Sequence, residues 1–322
     1  MKQIQTEVTQ MLGIQYPIIQ GAMQWIAKAP LAAAVSQAGG LGIISSSSFP
    51  DPEQMRQELR RARELTDKPL AVNLSIFPSL NTPDYPGYIR VAAEEGIRII
   101  ETAGRAPDAY MTQMKDCGMT VMHKCTTVKH ARKARDIGCD LVVIDGFESA
   151  GHPGENDIGT MVLTSRAIEE LDIPVVCCGG ISNGRGLAAA LMLGAGAVTM
   201  GTRFLVTKEC GIREDVKRYI AEHITEMDTM LLLRAFTNTS RVYRNKVAEE
   251  IWSLEKSGAP FEKIAPLMSG KRGYEMMFET GDMDYGTLSI GLSAGLVHDV
   301  PTVRELIDRT MEECRQAIAC YA

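Results

Sequence analysis

The chain has 322 residues, 45% hydrophobic and 23% charged, enough to bury a large core as two small domains or as one large barrel with additions. A formal charge of -6 with dispersed basic residues excludes a general attraction to phosphate backbones, so nucleic acid is not an expected partner. The opening MKQIQTEVTQML lacks the apolar core of a secretion signal, and every apolar stretch is broken before membrane-spanning length, which predicts a cytoplasmic protein with no membrane partner.

In chain order, short β-rich runs then recur: PIIQGAM, LGIISS, LAVNLSIF, IRIIETAG, TVMHKCT, LVVIDGF, PVVCCGG and AVTMGTRFL, all beginning before Leu205. Helix-like segments separate them, among them APLAAAVSQAGG, DPEQMRQELRRARELTDK, TVKHARKARDIGC, TSRAIEELD and NGRGLAAALMLGAG, several ending in Gly as helix C-termini often do. This alternation predicts parallel strands joined by right-handed crossovers, and eight units favour a closed (β/α)8 TIM barrel over an open doubly wound sheet.

After Leu205 the pattern changes. Residues 206–281 carry helical periodicity, many charges and no good strand, and are expected to form a helical substrate-binding or lid addition packed against the barrel. The barrel then comprises 1–205 and 282–322, with VPTVRELIDRTMEECRQAIACYA supplying its eighth helix. The eight cysteines form no CxxC pair and no zinc-ligand spacing, so no metal site is expected and the thiols should be reduced. Cys177 and Cys178, adjacent in one strand, should face opposite sides, and the 18 methionines read first as core filler.

In such a barrel the active site lies at the C-terminal ends of the strands, so QGAMQW, NLSIF, HKC, GFESAGH, CCGG and GTRF hold the informative residues. Glycines after the last two strands commonly hold phosphate through backbone N–H groups, making Gly179, Gly180, Gly201 and Thr202 candidates, with tight turns as the alternative. Lys124 lies on an otherwise apolar strand and faces either the barrel mouth or solvent. His152, set among Gly146, Gly151 and Gly154, suits an acid/base or hydrogen-bond-donating role, with a structural histidine as the alternative. His123 and His130, on the fifth strand and the following helix, are given no chemical role.

From YPIIQGAMQWIAKAPLAAAVSQAGGLGII through GHPGENDIG and GGISNGRGLAAALMLGAGAVTMGTRFL to GDMDYGTLSIGLSAGLV, the chain resembles the FMN-dependent nitronate monooxygenases (2-nitropropane dioxygenases) and the related FMN-dependent enoyl-ACP reductases. The segments ETAG, HKCT, IDGFESAGHPGENDI and RAFTNTSRVYRN are most similar to the bacterial NADH:quinone reductase subgroup. The resemblance implies an FMN oxidoreductase with Ala22, Met23 and Gln24 lining the ring, Asn73 and Ser75 at the third strand, and Lys124 close to the flavin. A cation there favours the reduced, anionic ring. It also implies Ala150 and Gly151 beside the cofactor, phosphate contacts from Cys178, Gly179, Gly180, Gly201 and Thr202, His152 facing substrate, and Pro78 at a nicotinamide cleft.

The chain departs from its relatives in SAGHPG, where Ala150 replaces a glycine and Pro153 follows the histidine, and in Gly291–Leu292, where the enoyl reductases tend to carry Gln. The leading expectation is hydride transfer from NADH or NADPH to FMN N5, followed by electron transfer to a quinone. Oxidation of alkyl nitronates by O2, enoyl reduction and a non-redox phosphate-ligand barrel are the alternatives, each on a small molecule, and a homo-oligomer is left open. No Rossmann fingerprint is present, because Gly194 and Gly196 precede a strand, so NADH would have to bind over the flavin.

Overall fold

Parallel strands covered on both faces are continuous apolar runs, and the eight central strands of this chain are buried along almost their whole lengths. A computed structural model describes residues 4–77 and 82–320, so Pro78 lies outside the described residues. The first half-barrel runs α1 (Glu7–Leu12), β1 (Ile18–Gln20), α2 (Ala29–Gln37), β2 (Gly42–Ser45), α3 (Pro52–Leu65), β3 (Leu70–Ile76), α4 (Tyr85–Glu94) and β4 (Ile99–Gly104). The second runs α5 (Met111–Asp116), β5 (Thr120–Cys125), α6 (Val128–Asp136), β6 (Leu141–Asp145), α7 (Thr160–Glu170), β7 (Val175–Cys178), α8 (Gly184–Leu193) and β8 (Ala197–Met200).

The strands pair in the order β1-β8-β7-β6-β5-β4-β3-β2. The remaining seam, β1 against β2, is closed by hydrogen bonds from Gln20 N to Leu41 O (2.9 Å) and from Leu41 N to Ile18 O (2.9 Å). The buried Gln20 side chain adds a third link, its Oε1 accepting from Ile43 N at 3.1 Å. The chain is thus a TIM barrel with helices between its strands. Inside, Ile19, Ile43, Ala71, Ile99, Met122, Val143, Val176 and Ala197 fill the ring, and Val8 and Leu12 of α1 close its lower end.

Helix ends follow local chemistry. Asp51 caps α3 through Gln54 N at 2.9 Å with Pro52 in the first turn, Asn183 caps α8, and Thr302 and Glu305 form a reciprocal capping box. That last box opens α14 (Val303–Ala319), whose Val303, Leu306, Ile307 and Met311 share an apolar cluster with Val35 of α2 and Leu187 of α8. Gly184 N donates to Glu313 Oε2 at 2.9 Å, and a Cβ at Gly184 would stand 2.3 Å from Thr310 O, so α14 lies tightly on α8 in the eighth-helix position.

Between β8 and α14 come α9 (Thr202–Leu205), α10 (Glu214–His223), β9 (Thr229–Leu232), β10 (Ser240–Tyr243), α11 (Lys246–Lys256), α12 (Phe261–Ile264) and α13 (Gly270–Tyr274). The expectation of an addition without strands is corrected here: β9 and β10 form an antiparallel hairpin, Leu232 opposite Ser240 and Thr229 opposite Tyr243. Its turn contains neither Gly nor Pro, and Leu233 and Thr237 take left-handed φ of 62° and 52°. Glu255 of α11 compensates by accepting from Leu233 N and Ala235 N, each at 2.7 Å, so a contact distant in sequence fixes the turn. Leu232, Val242, Val247, Ile251 and Ile264 give the addition a small core of its own, whereas Val216 and Ile220 of α10 join the barrel's outer cluster.

Candidate active site

At the C-terminal ends of the strands lies a cavity of about 1320 Å³. Every described residue singled out for binding or catalysis lines it: Ala22, Met23, Gln24, Asn73, Ser75, Lys124, Ala150, Gly151, His152, Cys178, Gly179, Gly180, Gly201 and Thr202. The floor is a chain of polar groups from successive strands. Ser75 Oγ donates to Asn73 Oδ1 at 3.1 Å, and Asn73 Nδ2 donates to Glu101 Oε2 at 2.7 Å. Glu101 is fully buried, and its Oε1 has no partner among the described residues.

Lys124, from β5, keeps 18% of its side chain exposed and places Nζ 3.9 Å from Asp145 Oδ2. Burial acts against its ammonium, whereas the acidic groups it faces, Glu101 and Asp145, favour it, so the group is held charged. Asp145 also accepts a short hydrogen bond from Ser149 Oγ. Burial pushes the Cys178 thiol well up, with Asp145 acting in the same direction, so Cys178 is a neutral wall residue and not a nucleophile. Cys177 faces outward, where Thr164 Oγ1 donates to its Sγ at 3.4 Å, and all eight cysteines are free.

The glycines at the ends of β7 and β8 fulfil separate requirements. Gly179 has φ 104°, and a Cβ there would lie 2.6 Å from Ser149 Oγ and 2.7 Å from Thr160 Oγ1. Gly201 has an ordinary φ of -101° and open space where a Cβ would stand. The N–H groups of Gly180 and Gly201 donate to nothing among the described residues. Glu148 orders this rim by accepting from Thr160 N at 2.8 Å and Thr160 Oγ1 at 2.7 Å, and Gly291 N donates to Thr202 Oγ1 at 3.0 Å.

The loop between β6 and α7 carries His152 and is gripped by the hairpin. Gly151, φ 66°, bridges Arg241. Glu155 accepts from Thr239 N at 2.9 Å and, more closely, from Thr239 Oγ1, and Asp157 pairs with Arg234 at 2.7 Å. Buried Arg241 donates from Nη1 to Thr229 Oγ1 and from Nη2 to Phe147 O, both at 2.9 Å, and its guanidinium stands 4.5 Å from the Phe147 ring centre. His152 packs against Phe77 with ring centres 5.5 Å apart. Burial lowers its pKa, opposed by Glu155 and an Asn238 hydrogen bond, so it is a neutral imidazole near pH 7.

Sequence reasoning assigned no role to Glu101 or Arg241. The signal for Glu101 was available: strand alternation places it on the same face as Ile99, inside the ring. Arg241 stands in a strand that the periodicity had concealed.

A parallel α/β barrel with a polar floor and a glycine rim at the strands' C-terminal ends defines the class as a barrel enzyme. The model of the family described as nitronate monooxygenase matches residues 5–313. A nitronate monooxygenase of Pseudomonas aeruginosa is 30% identical, the alignment covering 95% of this chain and 98% of the relative. A Rhodococcus jostii protein named (3aS,4S,5R,7aS)-5-hydroxy-7a-methyl-1-oxo-octahydro-1H-indene-4-carboxyl-CoA dehydrogenase is 30% identical over 96% of this chain and 95% of its own length. Among solved structures, FabK from Thermotoga maritima superposes with a TM-score of 0.91 at 32% identity, covering 98% of both chains. Nitroalkane oxidase from Streptomyces ansochromogenes does so with 0.82 at 25%, covering 98% of this chain and 99% of its own. The chain belongs to the nitronate monooxygenase family and is an oxidoreductase of that FMN-dependent group. The residues present fit the cofactor: free N–H groups at the glycine rim suit a phosphate, and the unpaired Glu101 Oε1 and the Lys124 cation suit a polar ring edge. No helix among the described residues is long and apolar enough to cross a membrane.

Proposed function

We propose that this chain is an NAD(P)H:quinone reductase. The observation that carries the reading is the extent of the cavity: about 1320 Å³, against about 300–1000 Å³ for typical small-molecule sites, and reaching from Gly201 to Arg105 and Lys129. Such a space accommodates a flavin together with a second sizeable ligand, more than a small nitronate requires. Ala22, Met23, Gln24, Asn73, Ser75, Lys124, Ala150 and Gly151 would hold the FMN ring, and Cys178, Gly179, Gly180, Gly201 and Thr202 its phosphate. FMN, when bound, supplies reversible two-electron chemistry.

The protein's own part is charge and orientation. Lys124 holds a fixed cation at the floor, facing the acidic groups of Asp145 and Glu101. Neutral His152, one ring nitrogen bonded to Asn238, leaves the other for the substrate, while Phe77 and the gripped loop restrict water at the mouth. Pro78, outside the described residues, is kept as the candidate for the nicotinamide cleft.

The test is spectroscopic. Anaerobic NADH or NADPH should bleach the FMN-loaded protein, a benzoquinone should restore its colour, and propyl nitronate in air should turn over slowly. Rapid nitronate turnover without bleaching by either nucleotide would replace this reading with nitronate oxidation. A second reading, oxidoreduction of a CoA thioester, is favoured by the Rhodococcus jostii relative, and crotonyl-CoA in the same assay tests it.

A further inference from the structure

The cavity has a second charged rim, four strands around the ring from the glycines after β8. Arg105 follows β4, and Lys129, His130 and Lys133 lie on α6, which follows β5; all four line the cavity. Lys129 and Lys133, four residues apart, share one helix face. Asp108 and Glu155 also line the cavity. Asp108 is matched by Lys133 at 2.8 Å, and Glu155 is held by Thr239. Arg105 and Lys129 have no ion-pair partner among the described residues, in a chain whose formal charge is -6. Lys129 also stands in the first turn of α6, whose N-terminal end adds partial positive charge.

Unpaired, exposed cations at the edge of a large cavity attract an anion, and this one is separate from the glycine rim that suits the cofactor's phosphate. We infer that Arg105 and Lys129 bind the diphosphate of an adenine-nucleotide cosubstrate, whose reactive end runs past the Phe77–His152 pair toward the floor. This rests on the reading that the cavity admits such a cosubstrate. The ADP portion is common to a pyridine dinucleotide and to a CoA thioester, and the rim recognises that shared part.

The test uses FMN-saturated protein and the double variant Arg105→Ala/Lys129→Ala, with Arg90→Ala on α4 as a control outside the cavity. Calorimetric titration with ADP should show binding to wild type, weakened about 10- to 100-fold in the double variant and relieved of most of its salt sensitivity. In flavin reduction, the efficiency of NADH relative to N-benzyl-1,4-dihydronicotinamide, which lacks the ADP portion, should fall by the same factor. Parallel titrations with NADH, NADPH and crotonyl-CoA identify which source of ADP the rim serves. Wild-type affinity for ADP in the double variant, or no ADP binding to wild type, overturns the inference. Loss of CoA binding in the double variant, with wild-type flavin untouched by NADH and NADPH, would retain the rim and remove the quinone reductase reading.

Discussion

Arg241 and Gly151 exchange backbone hydrogen bonds in both directions, Gly151 N to Arg241 O at 3.1 Å and Arg241 N to Gly151 O at 2.6 Å. The addition is therefore joined to the active-site loop through the residue next to His152. The same arginine then fixes Phe147 and Thr229 with its side chain, so one buried residue sets the position of the loop against the barrel.

Arg241→Ala should cost about 2–3 kcal/mol of stability, since two hydrogen bonds from a buried cation are lost and Phe147 O is left without that donor. Urea unfolding measures the loss, and limited proteolysis should show cleavage within residues 146–158 before global unfolding. A variant as stable and protease-resistant as wild type would mean that the backbone bridge alone positions the loop.

Gly179→Ala and Gly201→Ala should separate strain from occupancy. At Gly179 the new methyl meets Ser149 and Thr160 in a left-handed conformation, so both stability and FMN retention should drop, stability by about 1–3 kcal/mol. At Gly201 the fold has room, and the methyl enters the cavity, so melting temperature without FMN should hold while FMN affinity falls. Equal FMN affinity in Gly201→Ala and wild type would move the phosphate away from this rim.

Lys124→Met should weaken FMN binding or slow flavin reduction by a factor corresponding to about 1.5–3 kcal/mol, the contribution of a charge-assisted contact. Fluorescence titration of FMN and anaerobic stopped-flow reduction read the two effects separately. If both match wild type, the Lys124–Asp145 pair serves only the floor's own structure.

His123 makes stability pH-dependent. It is 2% exposed, its Nδ1 lies 2.8 Å from Thr102 Oγ1, and burial, assisted by His130, pulls its pKa from 6.5 down to about 4. The fold thus prefers the neutral ring. Stability is complete above the unfolded value and declines as pH falls from about 6.5 toward 4, by about 3 kcal/mol for this group. Lowered His152 acts with the same sign. Unfolding free energies at pH 8 and pH 5 should differ less in His123→Gln than in wild type, and an unchanged difference would assign the acid sensitivity elsewhere.

The eight barrel strands were legible because each is a short β-rich run bounded by turns, and parallel strands buried on both faces need nothing more subtle. Lys124 was legible as a polar residue near a strand end, and His152 as a polar residue in the loop that follows one. The hairpin was not, because TMLLLRAFTNTSRVY contains neither Gly nor Pro and its turn depends on Glu255. Nor was the basic rim: Arg105 and Lys129 belong to separate segments, and only the pairing of β4 with β5 brings both to one cavity. Pro78 lies outside the described residues.

The placement of α14 carries a cost during synthesis. The apolar faces of α2 and α8 that it covers exist once β8 has emerged, yet their cover, Val303 to Ala319, follows only after the whole addition has been translated. At ordinary elongation speeds that interval is on the order of ten seconds. Throughout it, a nascent chain displays Val35, Leu187 and their neighbours to water, a binding surface for chaperones and for other nascent chains. Stop codons or ribosome stalling before residue 303 should therefore yield aggregation, even though every barrel strand has already been made.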